Sequence, residues 1–167
     1  MSDNIDKPRH DQLFRKAFEN PLVAVEFMNT HLPKEVLKIL DISTLKLEKD
    51  TFVNPTLTDS ACDVLFSAKF NGTDGFIHIL LEHQSSCDRF MAFRLFKYML
   101  SICDQYLTSK PKAKHLPLIY PIVIYNGEAK YNAPLNIWQL FNNSNLAKDF
   151  WTNDYRLVNV HEIGFVA

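Results

Sequence analysis

The chain has 167 residues, of which 47% are hydrophobic and 22% charged, so we expect one folded domain around one core. It has no apolar run of the ~20 residues needed to span a bilayer and no signal peptide at its start, which predicts a cytoplasmic location. The net charge of -1 excludes a uniformly basic surface, so any nucleic-acid contact must use a local patch. Cys62, Cys87 and Cys103 lack CxxC spacing, which favours reduced thiols.

The first part of the chain is predicted to be helical and then to enter a sheet. Apolar residues at helical spacing predict two helices within residues 11–31, separated at Asn20-Pro21, and a short third helix over residues 34–40. From Thr44 apolar and polar residues alternate, which predicts a strand.

Two further strands, over residues 62–70 and 76–84, are predicted to form a hairpin. The segment between them, Asn71-Gly72-Thr73-Asp74, has the chemistry of a tight turn. The apolar runs in both strands indicate that they are covered on both faces.

The remaining elements follow the hairpin. A long helix is predicted over residues 89–107, a buried strand over 119–125 and a short helix over 137–141 with Asn136 as its cap. Residues 156–160 are predicted to form a last strand. Helices before and after a mixed sheet predict an α/β fold.

The predicted hairpin brings polar side chains together. If the turn is centred between Gly72 and Thr73, Asp63 lies directly opposite Glu82, and Gln84 joins them because strand side chains alternate between faces. This geometry requires an even number of loop residues, since a slip of one residue moves Asp63 to the other face.

Two carboxylates in an apolar setting require compensation by protons, cations or a metal. Oxygen ligands favour Mg²⁺ or Mn²⁺, which can promote phosphodiester hydrolysis. One alternative is that Asp63 and Glu82 lie at strand ends and pair with Arg89 or Lys69. A zinc site is a weaker alternative, because its candidate ligands lack the tight spacing of structural sites. Those candidates are Cys62, His78, His83 and Cys87.

Several blocks spread over nearly the whole chain carry a recognisable set of motifs. They are residues 8–18, residues 27–33, Cys62-Asp63-Val64-Leu65-Phe66-Ser67, Leu80-Leu81-Glu82-His83-Gln84-Ser85-Ser86, residues 89–95, and residues 116–121 followed by Tyr125-Asn126-Gly127. In this order they closely resemble the bacterial Rpn (recombination-promoting nuclease) family, also described as YhgA-like transposases.

This resemblance implies a PD-(D/E)XK nuclease with a restriction-endonuclease-like core, in which helices flank a central mixed sheet. It implies a DNA endonuclease that uses Mg²⁺ or Mn²⁺ in recombination or transposition. By motif, Asp63, Glu82 and the backbone carbonyl of His83 bind the metal. Gln84 occupies the position of the superfamily's lysine and completes the catalytic set with Asp63 and Glu82.

Other residues are second-rank candidates. Asp11 is a candidate site residue or a helix cap, and Arg94 and Tyr98, four residues apart, resemble a polar pair of related nucleases. Phosphate contacts are expected from Arg89, Lys97 and Lys112, although a solvated surface explains each equally well.

The expected partner is DNA, with a homodimer as a possible assembly. We expect residues 1–167 to form one nuclease domain that lacks a C-terminal segment of longer family members. The alternative function is a DNA-binding or interaction module that keeps this fold but cleaves weakly or not at all.

Overall fold

The computed structural model describes residues 7–49, 62–82 and 87–161, with side chains omitted for residues 7–11 and for Cys62. Its elements are the helices α1 (Lys7–Phe18), α2 (Pro21–His31), α3 (Lys34–Ile39), α4 (Met91–Ser109) and α5 (Ser144–Thr152), the strands β1 (Leu40–Leu47), β2 (Cys62–Phe70), β3 (Thr73–Glu82) and β4 (Leu118–Tyr125), and a 3₁₀ helix at Ile137–Leu140. Within these ranges, no helix is long and apolar enough to cross a bilayer.

The first helices agree with the sequence prediction. Asn20 caps α2 by accepting a hydrogen bond from the Leu22 backbone, and Pro21 occupies the first turn, where its missing N–H costs nothing. Asp11 lies in the second turn of α1, so its predicted capping role is wrong.

The first strand begins at Leu40 rather than at Thr44. Its pairing register with β2 shifts between Asp41 and Lys46. This irregularity interrupts the two-residue alternation at the start of the strand, so the sequence pattern becomes visible only further along.

The hairpin of β2 and β3 turns at Asn71 and Gly72, which have φ values of 47° and 79°. Two central residues with positive φ match the right-handed twist of the strands, so the turn needs only these two residues and Thr73 already belongs to β3. Asp63 therefore pairs with Leu80, and the predicted pairing with Glu82 is wrong. Because the shift is two residues, Asp63 and Glu82 remain on the same face.

The four strands form one mixed sheet in the order β1-β2-β3-β4, in which only β4 runs parallel to its neighbour. Helix α4 connects β3 to β4. One face of the sheet packs on residues of α1 to α3, around Phe18 and Met28. The opposite face carries Leu80 and packs on α4 through Met91 and Tyr98. This is the α/β fold predicted from sequence, with helices flanking a restriction-endonuclease-like core.

The C-terminal part differs from the prediction. Asn136 caps the 3₁₀ helix by accepting from the Gln139 backbone, as expected. Helix α5 was not predicted, because it is short and begins in the polar run Asn142-Asn143-Ser144-Asn145, which is typical of a loop. Residues 156–160 are not a strand, because in the described part of the chain they have no neighbour to pair with.

Candidate active site

Two carboxylates lie on the α4-facing side of the sheet. Asp63 is the second residue of β2, and Glu82 is the last residue of β3. Asp63 is opposite Leu80, so Glu82 is its diagonal neighbour on the same face. Asp63 is 7% exposed and Glu82 is fully buried. Diagonal neighbours have Cα atoms roughly 7–8 Å apart, within reach of long side chains.

Arg94 on α4 holds Glu82 in place. Its Nη2 donates to Glu82 Oε2 at 2.5 Å, and its Nη1 donates to Asp88 Oδ2 at 3.0 Å. Asp88 also accepts a hydrogen bond from the Phe90 backbone, just before α4 begins. One guanidinium therefore connects the end of β3 to the start of α4 through charge-assisted bonds.

Asp63 contacts a residue that sequence reasoning did not place in the nuclease site. The Nε2 atom of His78 lies 3.3 Å from Asp63 Oδ2, and the His78 ring packs 5.1 Å from the ring of Tyr98. His78 is fully buried. A sequence feature that could have identified His78 is its position four residues before Glu82 on one strand. Even spacing along a strand places both side chains on one face.

Arg94 and Tyr98, four residues apart on α4, both face the sheet. Arg94 contacts Glu82, while Tyr98 is 1% exposed and contacts His78. Helix α4 therefore contacts Glu82 through Arg94, and it packs through Tyr98 on His78, the neighbour of Asp63.

The cluster has a negative formal charge. With His78 neutral, the carboxylates of Asp63, Glu82 and Asp88 and the guanidinium of Arg94 give a formal charge of -2. A divalent cation would neutralise it, and carboxylate oxygens suit Mg²⁺ or Mn²⁺. In residues 7–49, 62–82 and 87–161 no three His, Cys, Asp or Glu side chains are close enough to hold a metal alone. An ion held by Asp63 and Glu82 would need waters, a backbone carbonyl or phosphate to complete its shell.

Several predicted site residues lie outside this description. His83 and Gln84 belong to the segment 83–86, and for Asp11 only the backbone is described. The zinc alternative cannot be placed either, because it needs Cys62 and His83. Cys87 and Cys103 are not joined in a disulfide.

The predicted phosphate-contact residues fall at two ends of the sheet. Arg89 and Lys97 are exposed just before and on α4. Lys112 follows α4, near the sheet end where Gly75 pairs with Leu118, whereas Glu82 pairs with Tyr125. At ~3.3 Å per residue these ends are roughly 20 Å apart. Lys69, a proposed partner of the carboxylates, instead pairs with Asp74 at 2.5 Å near the hairpin turn.

A cavity of about 300 Å³ lies between α4, β4 and the following loop, and Tyr125 in its wall is the strand partner of Glu82. Its walls include Leu95, Val123, Tyr125 and Tyr131. Burial raises the pKa of Tyr131, and the negative groups nearby raise it further. The phenol therefore stays neutral next to the carboxylates at ordinary pH.

Comparison with known proteins identifies the family of the chain. The family model described as "Putative transposase, YhgA-like" matches residues 8–164. Recombination-promoting nuclease RpnC of Escherichia coli K12 is 33% identical over 90% of this chain and 50% of its own length. RpnA, with the same description, is 32% identical over 96% of this chain and 54% of its own length.

A third relative from Escherichia coli K12 carries a different description. Inactive recombination-promoting nuclease-like protein RpnE is 31% identical over 96% of this chain and 53% of its own length. The chain therefore spans about half the length of these curated relatives. No solved structure matches the chain significantly.

Proposed function

We propose, on the premise that this chain belongs to the YhgA-like transposase family, that it forms the catalytic centre of a metal-dependent DNA endonuclease of the PD-(D/E)XK type. Longer relatives, of which this chain spans about half, are described as recombination-promoting nucleases, which supports a role in recombination or mobile-element movement. The observation that carries the proposal is the pair of buried carboxylates, Asp63 and Glu82, on one face of the sheet.

Asp63 and Glu82 would hold one Mg²⁺ or Mn²⁺ together with the backbone carbonyl of His83. Such an ion supplies an activated water and neutralises the charge that develops on a phosphate. The formal charge of -2 around these residues and their oxygen donors fit this assignment.

The chain's own residues have separate roles in this proposal. Arg94 orients the Glu82 carboxylate through its 2.5 Å charge-assisted contact. Gln84 donates from its amide to the scissile phosphate or to the attacking water. Arg89, just before α4, and Lys97, on α4, are exposed and would contact backbone phosphates. Lys112, roughly 20 Å away along the sheet, contacts a more distant part of the duplex.

Conversion of supercoiled plasmid DNA to nicked or linear forms tests this function. We expect cleavage with Mg²⁺ or Mn²⁺, none with excess EDTA, and a loss of at least about 100-fold in Asp63→Asn, since a metal ligand is lost. Asp104→Asn, an exposed carboxylate on α4, is the matched control and should keep wild-type activity. Cleavage that persists in EDTA or in Asp63→Asn would contradict the proposal.

A second candidate is a DNA-binding module that keeps this fold without efficient cleavage. It is favoured by the similarity to RpnE, which is described as inactive at 31% identity. Gel retardation of DNA by wild-type protein, with no cleavage at any concentration of Mg²⁺ or Mn²⁺, would support this function over the nuclease.

A further inference from the structure

We infer that His78 is a positioning residue for metal binding. By donating from Nε2 to one oxygen of Asp63, it fixes the carboxylate so that the other oxygen can ligate the ion. This inference rests on the proposed function, because it requires Asp63 to be a metal ligand.

The strand pairing of the hairpin places His78 next to Asp63. His78 pairs with Leu65, and Asp63 pairs with Leu80, so His78 and Glu82 are the two diagonal neighbours of Asp63 on one face. The His78 Nε2 to Asp63 Oδ2 distance is 3.3 Å. Since an ionised carboxylate only accepts hydrogen bonds, Nε2 must carry the hydrogen. Oδ1 of Asp63 makes no hydrogen bond within the described residues, which leaves it available as a ligand.

The burial of His78 indicates that its imidazole has a polar role. The side chain is fully buried, and its Nδ1 atom has no hydrogen-bond partner within the described residues. Burying an unsatisfied polar atom is unfavourable. A phenylalanine could pack against Tyr98 without that cost, so packing alone does not explain an imidazole here. Among the residues that the structure describes, the polar partner of the imidazole is Asp63.

The effect of His78 on metal binding depends on the rotamer freedom of the Asp63 side chain. An unrestrained Asp63 side chain must lose rotamer freedom when the ion binds. A hydrogen bond to the ligating carboxylate removes part of that cost beforehand, and groups that orient metal ligands typically contribute about 10–100-fold in metal affinity. Loss of the His78 donor should therefore change metal affinity more than it changes the rate of DNA cleavage at saturating metal.

The test is Mn²⁺ binding to the metal-free protein, measured by calorimetry without DNA. We expect His78→Phe, which keeps a ring but loses the donor, to weaken Mn²⁺ binding about 10-fold or more. His78→Gln, which can donate again, should recover most of the affinity. Phe76→Leu is the control, because Phe76 is buried two residues away on the same face and packs on Tyr106. It should lower the melting temperature and leave Mn²⁺ affinity unchanged.

The possible outcomes separate this inference from the proposed function. If His78→Phe binds Mn²⁺ as tightly as wild type, the positioning role is overturned while the metal site stands. If wild-type protein binds no Mn²⁺, both the positioning role of His78 and the proposed metal site are contradicted. If His78→Phe does not fold, nitrogen NMR of the wild-type imidazole decides. We expect the Nε2–H tautomer of His78 and a shift of Nε2 on addition of Mg²⁺, and an unchanged resonance would overturn the inference.

Discussion

The guanidinium of Arg94 donates to the carboxylate of Glu82 at 2.5 Å, and this glutamate side chain is fully buried. A buried carboxylate without a cation is unfavourable, because desolvation penalises the charge. Arg94, with 20% of its side chain exposed, therefore stabilises the fold in the absence of metal as well as orienting a proposed ligand.

Arg94→Met should destabilise the metal-free protein. Removing one partner of a buried ion pair typically costs about 3–5 kcal/mol, and the partial exposure of Arg94 puts the expected loss near ~3 kcal/mol. Urea unfolding at neutral pH measures it. Arg89→Met, at an exposed position, is the control and should change the free energy of unfolding by less than about 0.5 kcal/mol. A similar loss in both variants would contradict the assigned pairing.

Asp74 should make stability depend on acid pH. Hydrogen bonds from Lys110, then from Lys69 and Tyr106, hold the pKa of Asp74 well below its ordinary value of 3.8. A carboxylate with a depressed folded-state pKa stabilises the fold above its unfolded pKa and loses that contribution as pH falls through the folded value.

The free energy of unfolding of wild type should thus exceed that of Asp74→Asn by a constant amount from pH 8 to about pH 5. The difference should shrink below about pH 4, near the pKa of an unfolded aspartate. It should stay at or below about 1 kcal/mol, because these side chains are partly exposed. Urea unfolding at a series of pH values measures it. A difference that grows at low pH, or that is unaffected by Lys110→Met, would contradict the ion-pair network.

Gly72→Ala should weaken the hairpin without affecting the site. Gly72 has a φ of 79°, and a Cβ there would meet no atom within 4 Å, so only backbone strain acts. That strain costs roughly 1–2 kcal/mol for a residue with a side chain. We expect this loss in thermal unfolding, with DNA cleavage at the wild-type rate because the turn lies at the far end of β3 from Glu82. Unchanged stability would mean that the chain does not turn at this glycine.

Gln84 remains a prediction from the sequence, since it lies outside the described residues. If β3 continues to it, its side chain shares the face of Glu82. Gln84→Lys should then retain some cleavage because lysine can also donate to the developing charge, whereas Gln84→Ala should lose most of it. Cleavage rates at saturating Mg²⁺ compare the two. An alanine variant as fast as wild type would show that the amide is not part of the reaction.

Much of the fold could be predicted because local signals were strong. Asn20-Pro21 marked a helix start, and the broad apolar surface of α4 marked a long helix. Helix α5 was missed because it is short and its first residues belong to a polar run, Asn142-Asn143-Ser144-Asn145, that is typical of a loop. The predicted strand at 156–160 failed because β propensity without a pairing partner does not make a strand.

The candidate site was predicted only in part. Asp63 and Glu82 were placed on the correct face because face depends on even or odd spacing. Their register was wrong by two residues, since the choice between Asn71-Gly72 and Gly72-Thr73 as turn centre depends on φ values that the letters do not fix. The role of Arg94 came from resemblance, whereas the contact of His78 with Asp63 required the coordinates.

The most direct test of the central claim is anomalous diffraction from crystals soaked in MnCl₂. We expect one Mn²⁺ peak bound by a carboxylate oxygen of Asp63 and one of Glu82, each about 2.2 Å from the ion, as for a hard divalent cation. Crystals of Asp63→Asn, soaked in the same way, should show a weakened or absent peak. A wild-type crystal with no peak between these residues, or with Mn²⁺ bound to only one of them, would contradict a shared metal site.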